Sequence, residues 1–301
     1  MGIIENVLSN KRGCSIIEGE IVGGELTFRK GTMKERKGKE MKKNYRSVMP
    51  GAEPFFYRAE SKIGCLLIHG FGGSPHELKP MGKYLWEQGI NAMGVRLKGH
   101  GTTPADMRRS TYLEWIDSAY EGLKEIKKVC SSVFVAGLSM GGALTLHLAA
   151  TYPEDITGII PICAPSILGG WRAKLIPLAP FSRVIPYLPG IGKTVRDNTV
   201  KLVNYFWLPP TSIIELLKFI NETNAILPRI KLPALVIASR HDPVVPLDNA
   251  EYIMEHISSA DKNMFVVDNS LHVVTVDYDK DSVFRETEKF IRRQLSVSSA
   301  E

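Results

Sequence analysis

The chain has no run of eighteen apolar residues, roughly the length a helix needs to cross a bilayer. The nearest approach, Ile176 to Ile191, is interrupted by Arg183 and four prolines. Its first residues lack the basic start and apolar core of a secretory signal. These absences predict a soluble, cytoplasmic protein without a transmembrane segment. Cysteine is scarce: Cys14, Cys65, Cys130 and Cys163 show no CxxC pair and no metal-ligand spacing. Two of them sit in apolar runs, where a thiol behaves as a small hydrophobe, so reduced core cysteines are expected rather than disulfides.

Charge of one sign is also confined. The net charge of +6 is concentrated between Arg29 and Arg46, where nine Lys and Arg face only Glu35 and Glu40. The rest of the chain is close to neutral, so basicity belongs to a segment and no nucleic-acid role is expected. Residues 1–50 read as a basic, flexible extension and residues 51–301 as the folded body. With 44% hydrophobic and 23% charged residues, that body has an ordinary globular composition.

From residue 63 onward, short apolar runs alternate with amphipathic ones, which predicts an α/β fold. Strands are expected at Ile63–His69, Ile90–Arg96, Val133–Gly137, Gly158–Cys163, Ala234–Ser239 and Met264–Val267. Their continuous Val, Ile and Leu content suits a parallel sheet buried on both faces. Helical periodicity falls near His76–Gln88, Tyr112–Val129, Met140–Thr151, Leu247–His256 and Asp281–Leu295. Residues 165–230 interrupt the alternation with eight prolines and no strand candidate. An insertion of about 65 residues is too long for an ordinary connection and predicts a helical cap over the carboxyl edge of the sheet.

The strand at Val133 runs into Gly137-Leu-Ser139-Met-Gly141 and then a helix. A serine nucleophile needs this arrangement. The hydroxyl must project from a tight strand-to-helix turn, and side chains two positions either side would collide with strand and helix. The helix also brings its N-terminal N–H groups and positive dipole end to a developing oxyanion. The strand at Ile63 runs into His69-Gly70-Phe71-Gly72-Gly73, a loop with neither a GK[ST] nor a GxGxxG phosphate cradle. Its backbone can supply a second oxyanion donor, so Phe71 and Met140 are the expected pair.

A general base must follow the nucleophile in the chain and lie over the sheet edge. Of seven histidines, only His272 lies beyond the last predicted strand. His256 falls on an amphipathic helix, His147 inside the helix after Ser139, and His69 and His100 precede the nucleophile as loop-structuring residues. Asp242, directly after the strand at Ala234, is the expected acid, with Asp248 and Asp268 as alternatives.

The set HGFGG, RLKGHG, GLSMGG, SRHDPVVP and LHVVTVD, from about Phe55 to Ile291, resembles the bacterial carboxylesterase and monoacylglycerol lipase group of α/β-hydrolases. The resemblance implies a triad of Ser139, Asp242 and His272 beneath a small cap. It also implies that the Gly99-His100-Gly101 loop lines the edge of the site. Leu271 departs from the group, which often has Gly before the histidine, and the cap is the least similar part. The implied reaction is cofactor-free acyl transfer from a small-molecule ester. Cap aromatics and aliphatics suggest a substrate surface of Trp171, Ile176, Phe181, Phe206 and Trp207, with Gly70 and His100 below. Short- to medium-chain esters, monoacylglycerols among them, are the expected substrates. A thioester, a feruloyl ester, a meta-cleavage product or a low-turnover ligand sensor are the alternatives. Oligomeric state is not legible.

Overall fold

The computed structural model describes residues 16–22, 25–28, 48–167, 187–190 and 192–298. Its centre is a run of parallel strands: β4 (Ile63–Ile68), β5 (Asn91–Val95), β6 (Ser132–Leu138), β7 (Gly158–Ile162), β10 (Ala234–Ser239) and β11 (Lys262–Val267). They lie in the spatial order β11-β10-β7-β6-β4-β5, all pairing parallel. Each strand candidate read from the sequence is present, with ends shifted by at most two residues. The α/β expectation holds.

Alternation along each strand divides the apolar side chains between two cores. Leu66, Ile68, Val133 and Val135 join one cluster, whereas Cys65, Leu67, Phe134 and Ala136 join the other. The first core is covered by α3 (Tyr112–Lys127), α4 (Met140–Thr151), α5 (Pro210–Ile226) and α6 (Asp248–His256). The second is covered by α1 (Lys79–Glu87) and α7 (Lys280–Ser298). Helix starts carry their own signals. Thr103 accepts from Asp106 N–H at the start of α2 (Pro104–Arg109), and Thr111 with Glu114 closes a capping box on α3.

Two features depart from the sequence reading. The sheet continues past β5 through antiparallel β3 (Phe55–Tyr57), β1 (Ile16–Val22) and β2 (Glu25–Phe28). Ile16 faces Tyr57 and Glu18 faces Phe55 in register, so residues 16–22 continue the sheet. The physical reason is that β3 offers a free edge and an antiparallel partner can satisfy its backbone groups. The basic run itself lies outside the described residues. The expected strandless cap contains one short antiparallel pair, β8 (Leu188–Pro189) with β9 (Trp207–Leu208), before the long helix α5. Among the described residues no helix is long and apolar enough to cross a membrane.

Leu66 tests the two-core arrangement, since it is fully buried between sheet and α3. Leu66→Ala is expected to lower unfolding free energy by about 2–5 kcal/mol in a urea titration. A loss below about 1 kcal/mol would contradict this packing.

Candidate active site

The nucleophile candidate sits at the turn between β6 and α4, in the middle of the sheet. Ser139 adopts φ 56 and ψ −119, a conformation disfavoured for a residue with a side chain. Its N–H donates to Ile162 O (2.8 Å), tying the turn to the end of β7. The flanking glycines are required by contact. A Cβ on Gly137 would lie 2.0 Å from Gly141 O, and one on Gly141 would lie 2.0 Å from Ile68 O. The helix therefore enters close against both strands, and Ser139 is left half-buried at the rim. Met140, fully buried, is the first residue of α4, so its N–H is one of the helix's unpaired N-terminal donors.

Asp242 follows β10 and His272 follows β11, so both stand on the same carboxyl edge as Ser139. Asp242 Oδ2 faces His272 Nδ1 at 2.6 Å, with the Asp242 side chain fully buried. The other oxygen, Oδ1, accepts from the N–H groups of Val244 (2.7 Å) and Val245 (2.9 Å). The carboxylate is thus aimed by the backbone, and the alternatives Asp248 and Asp268 are engaged elsewhere. Asp248 bonds Asn249, and Asp268 pairs with exposed Arg240. With Nδ1 on the carboxylate, Nε2 of His272 is the nitrogen free to receive a proton.

The His272 loop is held from three sides. Ser239 Oγ donates to Ser270 O (2.6 Å), and Thr275 Oγ1 donates to Glu77 O (2.7 Å). Buried Asp277 accepts from the N–H groups of Leu271 (2.9 Å), Arg196 (2.7 Å), Asp197 (2.9 Å) and Tyr278 (3.0 Å). Leu271 is tolerated because the backbone there is not left-handed.

Cys163 belongs to this cluster, although the sequence reading treated it as core filling. Its φ is 47, and its sulfur lies with the Asp242 and His272 ligand atoms inside a 4.8 Å group. Burial, reinforced by the Asp242 charge, pushes the Cys163 thiol well above its ordinary value. A protonated thiol is a poor metal ligand, and Asp242 is already committed to His272 and two N–H groups. The trio therefore reads as an acid–base pair with a neighbouring thiol.

On the other side of Ser139, the HGFGG loop is braced by histidines. His69 Nε2 accepts from Leu97 N–H (3.2 Å), leaving Nδ1–H to donate to Gly70 O (2.9 Å). Burial holds His69 well below the usual imidazole range, consistent with that neutral tautomer. Phe71 is half-buried, its ring edge-on to Trp115 (5.8 Å) and His100 (6.2 Å). His100 is fully buried and pushed down to about 4 by desolvation. It fits the loop-structuring part of the expectation. Its proposed substrate contact does not survive, because its ring lies beneath Phe71 among His69, Trp115 and Tyr205.

The cap expectations divide. Trp171, Ile176 and Phe181 lie outside the described residues. Phe206 and Trp207 are 70% and 50% exposed and meet each other edge-on, so they do not line an enclosed pocket. Tyr205 and Leu208, on either side of that exposed pair, turn inward instead, where they join Met107, Met49, Ile213 and Phe71. Tyr205 N–H donates to Gly72 O (2.8 Å), and its hydroxyl bridges Gly99 O (3.0 Å) and Thr102 N–H (2.7 Å). Sequence reasoning missed Tyr205 and Leu208, and no period marks them, since burial runs buried, exposed, exposed, buried from 205 to 208.

This geometry meets its counterparts among known proteins. The Hydrolase_4 family, described as serine aminopeptidase, S33, matches residues 59–279. The chain belongs to this family. A thermostable monoacylglycerol lipase from Bacillus sp. (strain H-257) is 39% identical over 250 residues, which cover 82% of this chain and 96% of that protein. A carboxylesterase from Bacillus subtilis is 26% identical, covering 80% of this chain and 96% of its own. A solved structure from work on LipS and LipT, two metagenome-derived lipolytic enzymes, matches with a TM-score of 0.77 at 38% identity. It covers 82% of this chain and 100% of that one. The Hydrolase_4 assignment and these relatives bear out the α/β-hydrolase fold and a hydrolase of ester bonds.

Glu77 was not singled out in the sequence, yet its carboxyl is buried beside this site. Desolvation pushes it up to about 7, opposed by the Gly70 N–H. A carboxyl whose folded value is raised binds its proton more tightly when folded. The contribution of Glu77 to stability is therefore full below about pH 4.5 and is lost as pH rises through about 7, a change of up to roughly 3 kcal/mol. Glu77→Gln is expected to flatten this part of the pH–stability curve, measured by denaturant unfolding across that window. Parallel curves for parent and variant would refute it.

Proposed function

We propose that this Hydrolase_4 member is a serine carboxylesterase that cleaves short- to medium-chain acyl esters, monoacylglycerols among them. Ser139 is the nucleophile, His272 the general base and Asp242 the acid that orients it. The carrying observation is the 2.6 Å His272–Asp242 pair on the same sheet edge as the strained Ser139 turn.

Ser139 Oγ attacks the ester carbonyl while its proton passes to His272 Nε2. Asp242, held by Val244 and Val245, stabilises the imidazolium and keeps Nδ1 protonated. The oxyanion is met by the N–H groups of Phe71 and Met140, and the alcohol leaves with the proton from His272. Water repeats the steps to release the acid. The apolar group of Phe71, Ile213 and Leu208 supports an acyl chain passing over the Phe71 end. Monoacylglycerol as substrate is supported by the 39% identical Bacillus lipase. A cytoplasmic setting is supported by the three free, buried cysteines Cys65, Cys130 and Cys163.

p-Nitrophenyl esters of two to sixteen carbons and a monoacylglycerol test this directly. The parent is expected to hydrolyse them with an optimum at short or medium chains. Ser139→Ala should lose at least about a thousandfold in kcat. A folded parent inactive on every ester, or an active Ser139→Ala, would overturn the reading.

A further inference from the structure

Glu77 has a place in the site that the mechanism leaves unused. Its Oε2 accepts from Gly70 N–H at 3.1 Å, and its carboxyl fills the space over Gly73, where a Cβ would stand 2.2 Å from Oε1. From the same point beside Gly70, Ser139 Cβ lies at 3.3 Å and Glu77 Oε2 at 3.4 Å. The carboxyl and the nucleophile thus flank one glycine. The main-chain carbonyl of Glu77 meanwhile accepts from Thr275, three residues after His272.

The peptide that matters is Gly70–Phe71. A planar peptide directs the Gly70 C=O and the Phe71 N–H to opposite sides, so whatever fixes the carbonyl aims the N–H. The carbonyl is gripped twice, by Gly73 N–H (3.2 Å) and His69 Nδ1 (2.9 Å). The third grip is on the preceding peptide, where Glu77 holds the Gly70 N–H. Without it, the Gly70 N–H side of the loop loses its hydrogen-bonded restraint, leaving the carbonyl's two partners to set rotation about the Gly70 backbone bonds. A glycine allows more of that rotation than any other residue. A purely structural plug would be better served by an apolar side chain, since a buried carboxyl with few partners is unfavourable to stability.

We propose that Glu77 is a positioning residue of the oxyanion hole: its carboxyl oxygen holds the Gly70 N–H and thereby aims the Phe71 N–H at the reacting carbonyl. This rests on the reading of Phe71 and Met140 as oxyanion donors, and the experiment separates the two claims.

Glu77→Met keeps the volume but removes the acceptor, and Glu77→Gln keeps both volume and an acceptor oxygen. Each is compared with the parent for kcat and KM on p-nitrophenyl butyrate and for inhibition by an alkyl trifluoromethyl ketone. Ser139 Oγ adds to the ketone carbonyl, its proton passes to His272, and the new oxyanion lies in the hole. The Met variant is expected to lose about 10–100-fold in kcat with KM within about threefold, and a similar factor in ketone affinity. The Gln variant should stay within about threefold of the parent in both. Parent-like kcat and ketone affinity in the Met variant would overturn the role of Glu77 while leaving the oxyanion donors standing. So would a Gln variant as slow as the Met one. A catalytically active parent that the ketone does not inhibit would overturn the oxyanion reading and the proposal with it. Glu77→Leu, which also lacks an acceptor, replaces a Met variant that fails to fold.

Discussion

Everything at this site depends on how closely α4 enters against the sheet. The turn at Ser139 is the point where β6 stops and the helix begins, and it is possible only because Gly137 and Gly141 present no side chain to each other or to Ile68 O. That approach forces Ser139 to φ 56 and leaves its side chain at the rim, while Met140 goes into the core. The strain, of order 1–3 kcal/mol, is sustained by the packing of a helix buried on nearly every side.

Around this turn the remaining parts are held mainly by backbone groups. Asp242 is aimed by two N–H groups, the His272 loop by the four that Asp277 collects, and the Gly70 peptide by His69, Gly73 and Glu77. Such bonds fix position at the main chain. They also link the parts. Arg196 and Asp197 follow the cap strand β8, so Asp277 fastens the cap's return path to the base. Tyr205 fastens the stretch before β9 to the loops that carry Phe71 and His100. A cap stitched in this way shares its geometry with the reacting groups.

Much of this was legible in the chain because the information is local. Buried parallel strands must be apolar at every position, so their runs stand out, and Ala234–Ser239 was read to the residue. The GxSxG and HGxGG segments declare themselves because close backbone approach admits only glycine. Asp242 and His272 followed from chain order and the edge of the sheet. What was not legible concerns contacts between distant segments. The pairing of β1 with β3 depends on a free edge that no local pattern announces. The resemblance implies that Gly99-His100-Gly101 lines the edge of the site, yet three aromatic rings and His69 enclose His100. Phe206 and Trp207 looked like pocket lining because they are large and apolar, but the chain turns Tyr205 and Leu208 inward and leaves that pair exposed.

The sequence by itself determined the fold class, the glycine-flanked turn at Ser139 and the chain order of the proposed triad, since each is written in spacing and in residue types that backbone geometry demands. Only the tertiary structure decided how those groups are aimed. Whether a buried carboxyl such as Glu77, a thiol such as Cys163 or a carboxylate such as Asp277 meets the site depends on chain segments tens to hundreds of residues apart. Glu77 lies 198 residues before the Thr275 that grips it. That is a matter of packing in three dimensions, and no period or motif along the chain records it.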